Sequence, residues 1–84
     1  MKHRASPEYW KAYRSLPTAV QRAADRAYDL LKRDPHHPSL HFKKIRQFYS
    51  VRIGLRHRVL GVPVEDGIVW FWIGSHADYD KLIA

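Results

Sequence analysis

Residues 49–75 read YSVRIGLRHRVLGVPVEDGIVWFWIGS and contain three strand-like segments in succession. Apolar and polar residues alternate from Tyr49 to Ile53, which is typical of a half-buried strand. His57–Val64 is a second strand candidate, and Asp66-Gly67 is a strong hairpin turn signal. The continuous apolar run Ile68–Ile73 favours a central strand that is covered on both sides. These segments predict an antiparallel sheet in the second half of the chain.

The first half of the chain has a helical period instead. Ser6–Glu8 is typical of a helix start, and Pro17 interrupts this first helix. Thr18 and Gln21 have the spacing of a capping box. The clearest periodic signal follows, an apolar stripe made of Val20, Ala23, Ala24, Ala27, Leu30 and Leu31. Asp34-Pro35 ends the second helix, because the residue before a proline disfavours helical backbone.

The order of these segments predicts one α+β domain over residues 1–84. A helical hairpin, residues 6–33, precedes the strands, and residues 40–45 are expected to add a short strand. A hairpin of this length covers one face of a small sheet. The other face is then open, and a functional site is expected there.

The charge of the chain limits its partners. Lys and Arg number 15 against 8 acidic residues, which gives a net charge of +7. Such an excess favours nucleic acid, an acidic protein or an anionic membrane surface as partner. No apolar run approaches the ~18 residues of a membrane span, and no basic amphipathic helix has a bulky apolar face, so a membrane is the weakest of the three. The chain has no cysteine for disulfides or thiolate metal sites, and its polar N-terminus indicates a cytoplasmic protein.

Basic and aromatic residues alternate between positions 41 and 58. RNA-binding surfaces use this mixture, because cations contact phosphates and flat rings stack on unpaired bases. The alternative is that the aromatic residues Phe42, Phe48 and Tyr49 belong to the core and the charges only solvate the edges. The set consists of His41, Phe42, Lys43, Lys44, Arg46, Phe48, Tyr49, Arg52, Arg56, His57 and Arg58.

A second candidate lies after the last strand, in Gly74–Tyr79. His76 titrates near neutral pH and can move protons, and Tyr79 can donate a hydrogen bond. The alternative is that His76 is only a loop or capping residue. His36, His37 and His41 lie close in sequence, but no carboxylate or cysteine stands at ligand spacing, so we expect neither a metal nor a cofactor.

The order and spacing of these motifs resemble the RelE/ParE toxin superfamily over about residues 7–83. The resemblance implies a compact toxin of a type II toxin–antitoxin pair, with a short C-terminal helical segment and an acidic antitoxin as partner. The motifs are Asp34-Pro35, His37-Pro38-Ser39-Leu40 with Lys43-Lys44-Ile45, Tyr49-Ser50-Val51-Arg52-Ile53, His57-Arg58-Val59, Trp70 to Ile73 and His76-Ala77-Asp78-Tyr79.

The resemblance leaves more than one function open. RelE-like members cleave mRNA in the ribosomal A site, whereas ParE-like members share the fold and inhibit DNA gyrase. A degenerate domain that keeps only the antitoxin contact, or a weak nucleic-acid contact, is a third reading. Because one fold can host several functions, the site has to decide between them.

For the RelE-like reading, the resemblance assigns Arg52, Arg58, His76 and Tyr79 as catalytic residues. Cleavage by the neighbouring 2′-hydroxyl needs a proton acceptor, a proton donor for the leaving oxygen, and cations for the charge that builds on the phosphate. His76 is the candidate acid or base, and Tyr79 orients the phosphate or a nucleobase. This chemistry requires no metal. The residues expected to contact RNA are Lys43, Lys44, Arg46, Arg56 and His57.

The chain departs from the family pattern at two places. Ser50 stands where RelE-like sequences often have a second lysine, and the segment before Ser6 does not show the first strand that many members have. The site also sets a geometric condition. Arg52 and Arg58 share a sheet face only if the connection between them has odd effective length, and Gly54 is the residue that could supply it.

Overall fold

The computed structural model describes all 84 residues and forms one five-stranded sheet with three helices. The strand order is β1-β5-β4-β3-β2, and every neighbouring pair is antiparallel except β1 and β5. The predicted α+β fold is confirmed, including the helical hairpin and the C-terminal helix. The elements are β1 (Lys2–Ala5), α1 (Pro7–Arg14), α2 (Thr18–Arg33), a short 3-10 helix (Pro38–Leu40), β2 (Lys43–Ile45), β3 (Phe48–Ile53), β4 (His57–Val64), β5 (Gly67–Ser75) and α3 (His76–Ile83).

A first strand is present, contrary to the expectation from the sequence. β1 pairs in parallel with the first half of β5. The backbone amide of Lys2 donates to the carbonyl of Asp66, and that of Ser6 donates to the carbonyl of Trp70, both at 2.9 Å. Four residues are too few to show a reliable alternation, so this strand is defined by its pairing partner and not by its own pattern.

The junction between α1 and α2 confirms one predicted cap and corrects the other. The Ser6 hydroxyl accepts a hydrogen bond from the amide of Tyr9 and caps α1, as predicted. The capping box at Thr18 is wrong, because Pro17 occupies the capping position and makes no side-chain cap. The side-chain amide of Gln21 donates from Nε2 to the carbonyls of Tyr13 and Leu16, at 3.0 and 3.2 Å. These hydrogen bonds connect the end of α1 to α2.

The main core lies between the helical hairpin and one face of the sheet. Tyr9, Ala24 and Leu31 are the buried residues of the two helices. Fully burying a large apolar side chain stabilises the fold by about 1.5–3 kcal/mol. Val51 and Ile53 of β3 point into this core, which confirms the alternation predicted for this strand. The other members of the buried cluster are Leu40, Val59, Ile68, Trp70 and Ile73.

The hairpin between β4 and β5 turns one residue earlier than predicted. Val64 pairs with Gly67, so the turn consists of Glu65 and Asp66, and Gly67 is already in β5. A Cβ atom at Gly67 would come within 1.8 Å of the Lys2 carbonyl oxygen. The glycine is thus required by the close approach of β1 and not by the turn.

A β-bulge in β5 changes which face its residues occupy. Gly61 of β4 pairs with Trp70 and Leu60 pairs with Trp72, which leaves Phe71 without a partner. Ile68, Trp70 and Ile73 are buried, but Val69 and Phe71 are only half-buried. The predicted central position of β5 is confirmed, but its face away from the helical hairpin is only partly covered, and the bulge places both Phe71 and Trp72 on that face.

The sheet face opposite the hairpin, called here the second face, is partly covered by α3. Leu60 and Tyr79 are 1% and 5% exposed, although neither belongs to the main core cluster. Leu60 alternates with buried Val59 along β4 and so lies on the second face. The face predicted to be open is therefore closed over β4 and β5 near α3 and open elsewhere. The short strand predicted for residues 40–45 is limited to β2.

Candidate functional site

Arg52 and Arg58 are directly opposite each other on the second face. β3 and β4 are joined by a three-residue loop, Gly54–Arg56, and the last pair before it is Ile53 with His57. Gly54 has φ +60°, a left-handed conformation that glycine adopts without strain. The odd loop length places the two arginines as cross-strand partners, so the geometric condition for a shared site is met.

Neither arginine forms an ion pair with a carboxylate. Arg52 donates from Nε to the Gly54 carbonyl at 2.9 Å and from Nη1 to Nε2 of His41 at 3.3 Å. Arg58 donates from Nη1 to the carbonyl of His57 at 2.8 Å. Its pKa is lowered from the ordinary arginine value by partial burial and then by the nearby charge of Arg52. The pair is a positive site in which neither guanidinium is bonded to a carboxylate.

Helix α3 begins at this end of the sheet. The Ser75 hydroxyl accepts from the amide of Asp78 and caps the helix, while the amide of His76 donates to the Arg56 carbonyl at 2.6 Å. The helix is therefore fixed to the same loop that sets the spacing of the arginines. Asp80 and Tyr79 also act on Arg58, because their charges oppose the lowering of its pKa.

The imidazole of His76 lies beside a carboxylate. Nε2 of His76 is 3.3 Å from Oδ1 of Asp80, one helical turn later, and the ring centroids of His76 and Tyr79 are 6.3 Å apart. The contact is an ion pair only when the imidazole is protonated, and both side chains are exposed. The Tyr79 ring is buried, yet its hydroxyl has no partner and is not a buried unsatisfied group, so the oxygen reaches solvent. The four residues assigned as catalytic thus lie at one end of the sheet.

The residues expected to contact RNA do not form one surface. Lys43 pairs with Ser50 and so shares the second face with the arginine pair, and exposed Arg56 lies in the adjoining loop. Lys44 pairs with Tyr49 and has the opposite orientation, and Arg46 lies in the turn at the far end of β3, with φ +55°. The remaining residue, His57, pairs with Ile53, which points into the main core. His57 is therefore on the sheet face that the helical hairpin covers.

The aromatic residues of this region divide between the core and the second face. Phe42 and Tyr49 pack against the main core, with ring centroids 5.5 Å apart, as the alternative reading of the pattern predicts. Phe48 instead lies on the second face against Phe71, at 5.7 Å. The aromatic residue that sequence reasoning missed is Trp72. Counting in twos from buried Trp70 places it in the core, and only the bulge at Phe71 turns it to the second face.

The histidines after α2 have structural contacts. The Nδ1 atom of His37 accepts from the amide of Ser39 and caps the 3-10 helix, and His41 contacts Arg52. No group of three or more histidine, aspartate or glutamate side chains lies close enough together to hold a metal ion. None of the helices has the length and hydrophobicity of a membrane span.

Comparison with known proteins identifies the family. Residues 18–81 match the family described as the ParE-like toxin domain. No curated protein sequence matches the chain. The fold is similar to the toxin in a RelB–RelE antitoxin–toxin complex from Methanococcus jannaschii, with a TM-score of 0.73, 13% identity and coverage of 96% of this chain and 99% of that one.

Two further solved toxins share the fold. A copper-bound mutant toxin from Helicobacter pylori gives a TM-score of 0.71 at 15% identity and covers 93% of this chain and 97% of its own. The isolated E. coli RelE toxin gives 0.63 at 11% identity, with coverage of 98% and 97%. The chain therefore belongs to the ParE-like toxin domain family, within the RelE/ParE superfamily of toxins of toxin–antitoxin systems.

Proposed function

We propose that this toxin is an endoribonuclease that cleaves mRNA at the ribosome, with the 2′-hydroxyl beside the scissile phosphate as nucleophile. The observation that carries the proposal is the arrangement of Arg52 and Arg58, which are cross-strand partners and have no carboxylate partner. A phosphodiester fits this pair, because planar guanidiniums stay protonated and can each donate two parallel hydrogen bonds to its oxygens.

The groups around the pair can supply the proton transfers. His76 accepts the proton of the 2′-hydroxyl at Nδ1, while Asp80 lies beside Nε2 of the same ring. The two guanidiniums stabilise the negative charge that builds on the phosphate oxygens. Tyr79 donates a hydrogen bond to the phosphate, and the departing 5′-oxygen takes a proton from solvent. The products are a 2′,3′-cyclic phosphate and a 5′-hydroxyl end.

An acidic antitoxin is the proposed protein partner. The toxin from M. jannaschii is solved in complex with its antitoxin, and the net charge of +7 here favours an acidic surface. A gene for a short acidic protein beside this one would support the pair. Co-expression with that protein is expected to suppress toxicity and to yield a complex that co-purifies.

A test in growing bacteria uses Arg58→Ala. Expression of the unmodified chain is expected to arrest growth and to produce new 5′ ends within translated reading frames. Loss of one preorganised cation lowers the cleavage rate on the order of 10²–10³-fold, so the variant should relieve the arrest. Arg22→Ala is the matched control, since Arg22 is an exposed arginine of α2 that forms no ion pair. Full toxicity of Arg58→Ala would remove this arginine from the mechanism.

Inhibition of DNA gyrase is the second candidate, and the match to the ParE-like family favours it. Ser50 also fits, because this buried serine gives the face no third cation at its position. The arginine pair would then dock on an acidic protein surface. Growth arrest with intact mRNA and an induced DNA damage response would support gyrase inhibition and contradict the ribonuclease. A chain without effect on growth that still binds the antitoxin would support the degenerate domain.

A further inference from the structure

Three aromatic side chains share the second face with the arginine pair. Phe48 reaches this face by its position in β3, two residues before Ser50, and Phe71 and Trp72 reach it through the bulge in β5. All three are half-buried. The rings of Phe48 and Phe71 are 5.7 Å apart with an interplanar angle of 52°, so they form one continuous apolar surface.

Trp72 lies beside the arginine pair. A Cβ atom at Gly74 would come 2.4 Å from Cζ2 of the indole, which shows that the ring lies directly over this glycine. Gly74 is the cross-strand partner of Arg58. The indole therefore occupies the space that a side chain next to Arg58 would otherwise fill.

The indole of Trp72 is half-buried beside its buried cross-strand partner Leu60, so only part of the ring is exposed. Trp10 and Trp70 each pack on other aromatic rings, whereas Trp72 has no such contact. Its Nε1 group makes no hydrogen bond and is not a buried unsatisfied group, so it faces solvent. An aromatic ring with an unused N–H donor at the edge of a cationic site is suited to stacking.

The charge of this surface indicates what kind of ligand it binds. Strands β2 to β5 contain no aspartate or glutamate, while Lys43, Arg52 and Arg58 all lie on the second face. Of the acidic groups outside these strands, Asp80 lies beside His76 on α3, and Asp66 pairs with Lys2 and Arg4 beyond the other end of β5. An apolar aromatic surface with cations at its margin fits a ligand that has both planar rings and negative charge.

We propose that the second face is a base-stacking platform for single-stranded RNA. Trp72 stacks on the base next to the phosphate that Arg52 and Arg58 hold, and Phe71 with Phe48 takes the following base. Arg52 lies four positions after Phe48 in β3, or roughly 13 Å along the strand, which leaves space for about two bases on a sheet surface. This inference rests on the proposed ribonuclease function and assigns its substrate contacts outside the reacting phosphate.

Binding of a short single-stranded RNA, 2′-O-methylated throughout so that it cannot be cleaved, tests the platform. Trp72→Ala is expected to raise the dissociation constant by about 5-fold to 150-fold, the range for one lost base stack. Trp72→Phe should keep most of the affinity because it keeps a ring. Trp10→Ala is the matched control, since this tryptophan is 43% exposed on α1. An oligonucleotide with one abasic position should bind the unmodified protein more weakly and lose nothing further with Trp72→Ala.

A fluorescence measurement keeps the test decisive if Trp72→Ala fails to fold. In the variant Trp10→Phe, the accessible Trp72 is expected to lose emission when the oligonucleotide binds and to keep it with the matched abasic oligonucleotide. Equal quenching by both oligonucleotides would contradict stacking. The folded fraction of each variant is checked by thermal melting.

The outcomes separate the platform from the ribonuclease itself. If Arg58→Ala weakens RNA binding and Trp72→Ala does not, the platform is wrong and the ribonuclease proposal stands. If the unmodified protein does not bind the oligonucleotide at millimolar concentration, the platform is wrong, whereas the ribonuclease proposal is decided by the new 5′ ends in growing bacteria. If Trp72→Ala leaves RNA binding intact and weakens binding of the antitoxin, the face belongs to the protein partner and the RNA assignment is overturned.

Discussion

Two glycines illustrate different physical requirements at the scale of one residue. Gly54 has a positive φ and open space around its Cα, so its role is conformational. Gly67 has an ordinary backbone, but the Lys2 backbone passes where its side chain would be. A turn signal read from the sequence therefore pointed to the right glycine for the wrong reason.

Substitution of these glycines is expected to separate the two effects. Gly67→Ala forces the Cβ against the backbone of β1 and should lower the free energy of unfolding by about 1–3 kcal/mol or more, with loss of the β1 pairing. Gly54→Ala meets no atom and should cost only about 1 kcal/mol, from the left-handed backbone. Urea unfolding of both variants measures the difference. A Gly67→Ala variant as stable as the unmodified protein would contradict the close-approach explanation.

At the scale of elements, one glutamine side chain joins the two helices of the hairpin. Gln21 uses its side-chain amide for two carbonyls at and just after the end of α1, those of Tyr13 and Leu16. Gln21→Ala is expected to lower the free energy of unfolding by about 1–2 kcal/mol, because two hydrogen bonds are lost. Gln47→Ala is the matched control, since Gln47 is exposed in the turn before β3. Equal unfolding midpoints for the two variants would show that the contact does not stabilise the hairpin.

The elements also show which parts of the structure a single sequence can predict. The helical hairpin and β3 were predictable, because their apolar periods continue long enough to define a face. The bulge at Phe71 was not, since it depends on how β4 and β5 pair, and one displaced residue moves Trp72 to the other face. β1 was missed for the same reason, as its pairing with β5 joins distant parts of the chain.

In the candidate site, too, some contacts could be predicted from the sequence and others could not. The pairing of Arg52 with Arg58 follows from the loop length, which the sequence left open between two values. The contact of His76 with Asp80 follows from their helical spacing, but the predicted C-terminal helical segment had no defined first residue, so the contact could not be expected. Lys44 and Arg46 are positively charged but lie outside the second face, because the charge of a residue does not determine the sheet face on which it lies.

For the molecule as a whole, His3 makes stability depend on pH. Its Nδ1 accepts a hydrogen bond from Nε1 of buried Trp70 at 3.2 Å, and the two rings are stacked. The pKa of His3 is lowered from 6.5 by burial, and then by the charges of the N-terminal amine and Lys32. Protonation is therefore less favourable in the folded protein than in the unfolded chain. The stability due to neutral His3 is complete above pH 6.5 and is lost as the pH falls through the lower pKa of the folded state.

Unfolding free energies measured between about pH 8 and pH 5 test this dependence. The unmodified protein is expected to lose stability below neutral pH relative to His3→Gln, whose side-chain oxygen can still accept from the indole. The difference between the two proteins isolates His3 from the other titrating groups. Parallel curves for the two proteins would show that protonation of His3 does not affect folding.

The pairing of β1 with β5 has a consequence for the order in which the sheet forms during synthesis. His3 and Trp70 are separated by 67 positions in the chain, so the first strand has no neighbour until the last one has been made. A nascent chain on the ribosome can form the helical hairpin, but its N-terminal strand stays without a partner until β5 emerges. The hairpin of β3 and β4, which pairs Arg52 with Arg58, is made before β5, whereas His76 and Tyr79 on α3 follow it. We therefore expect the sheet to close only after β5 has been made, late in the synthesis of this domain.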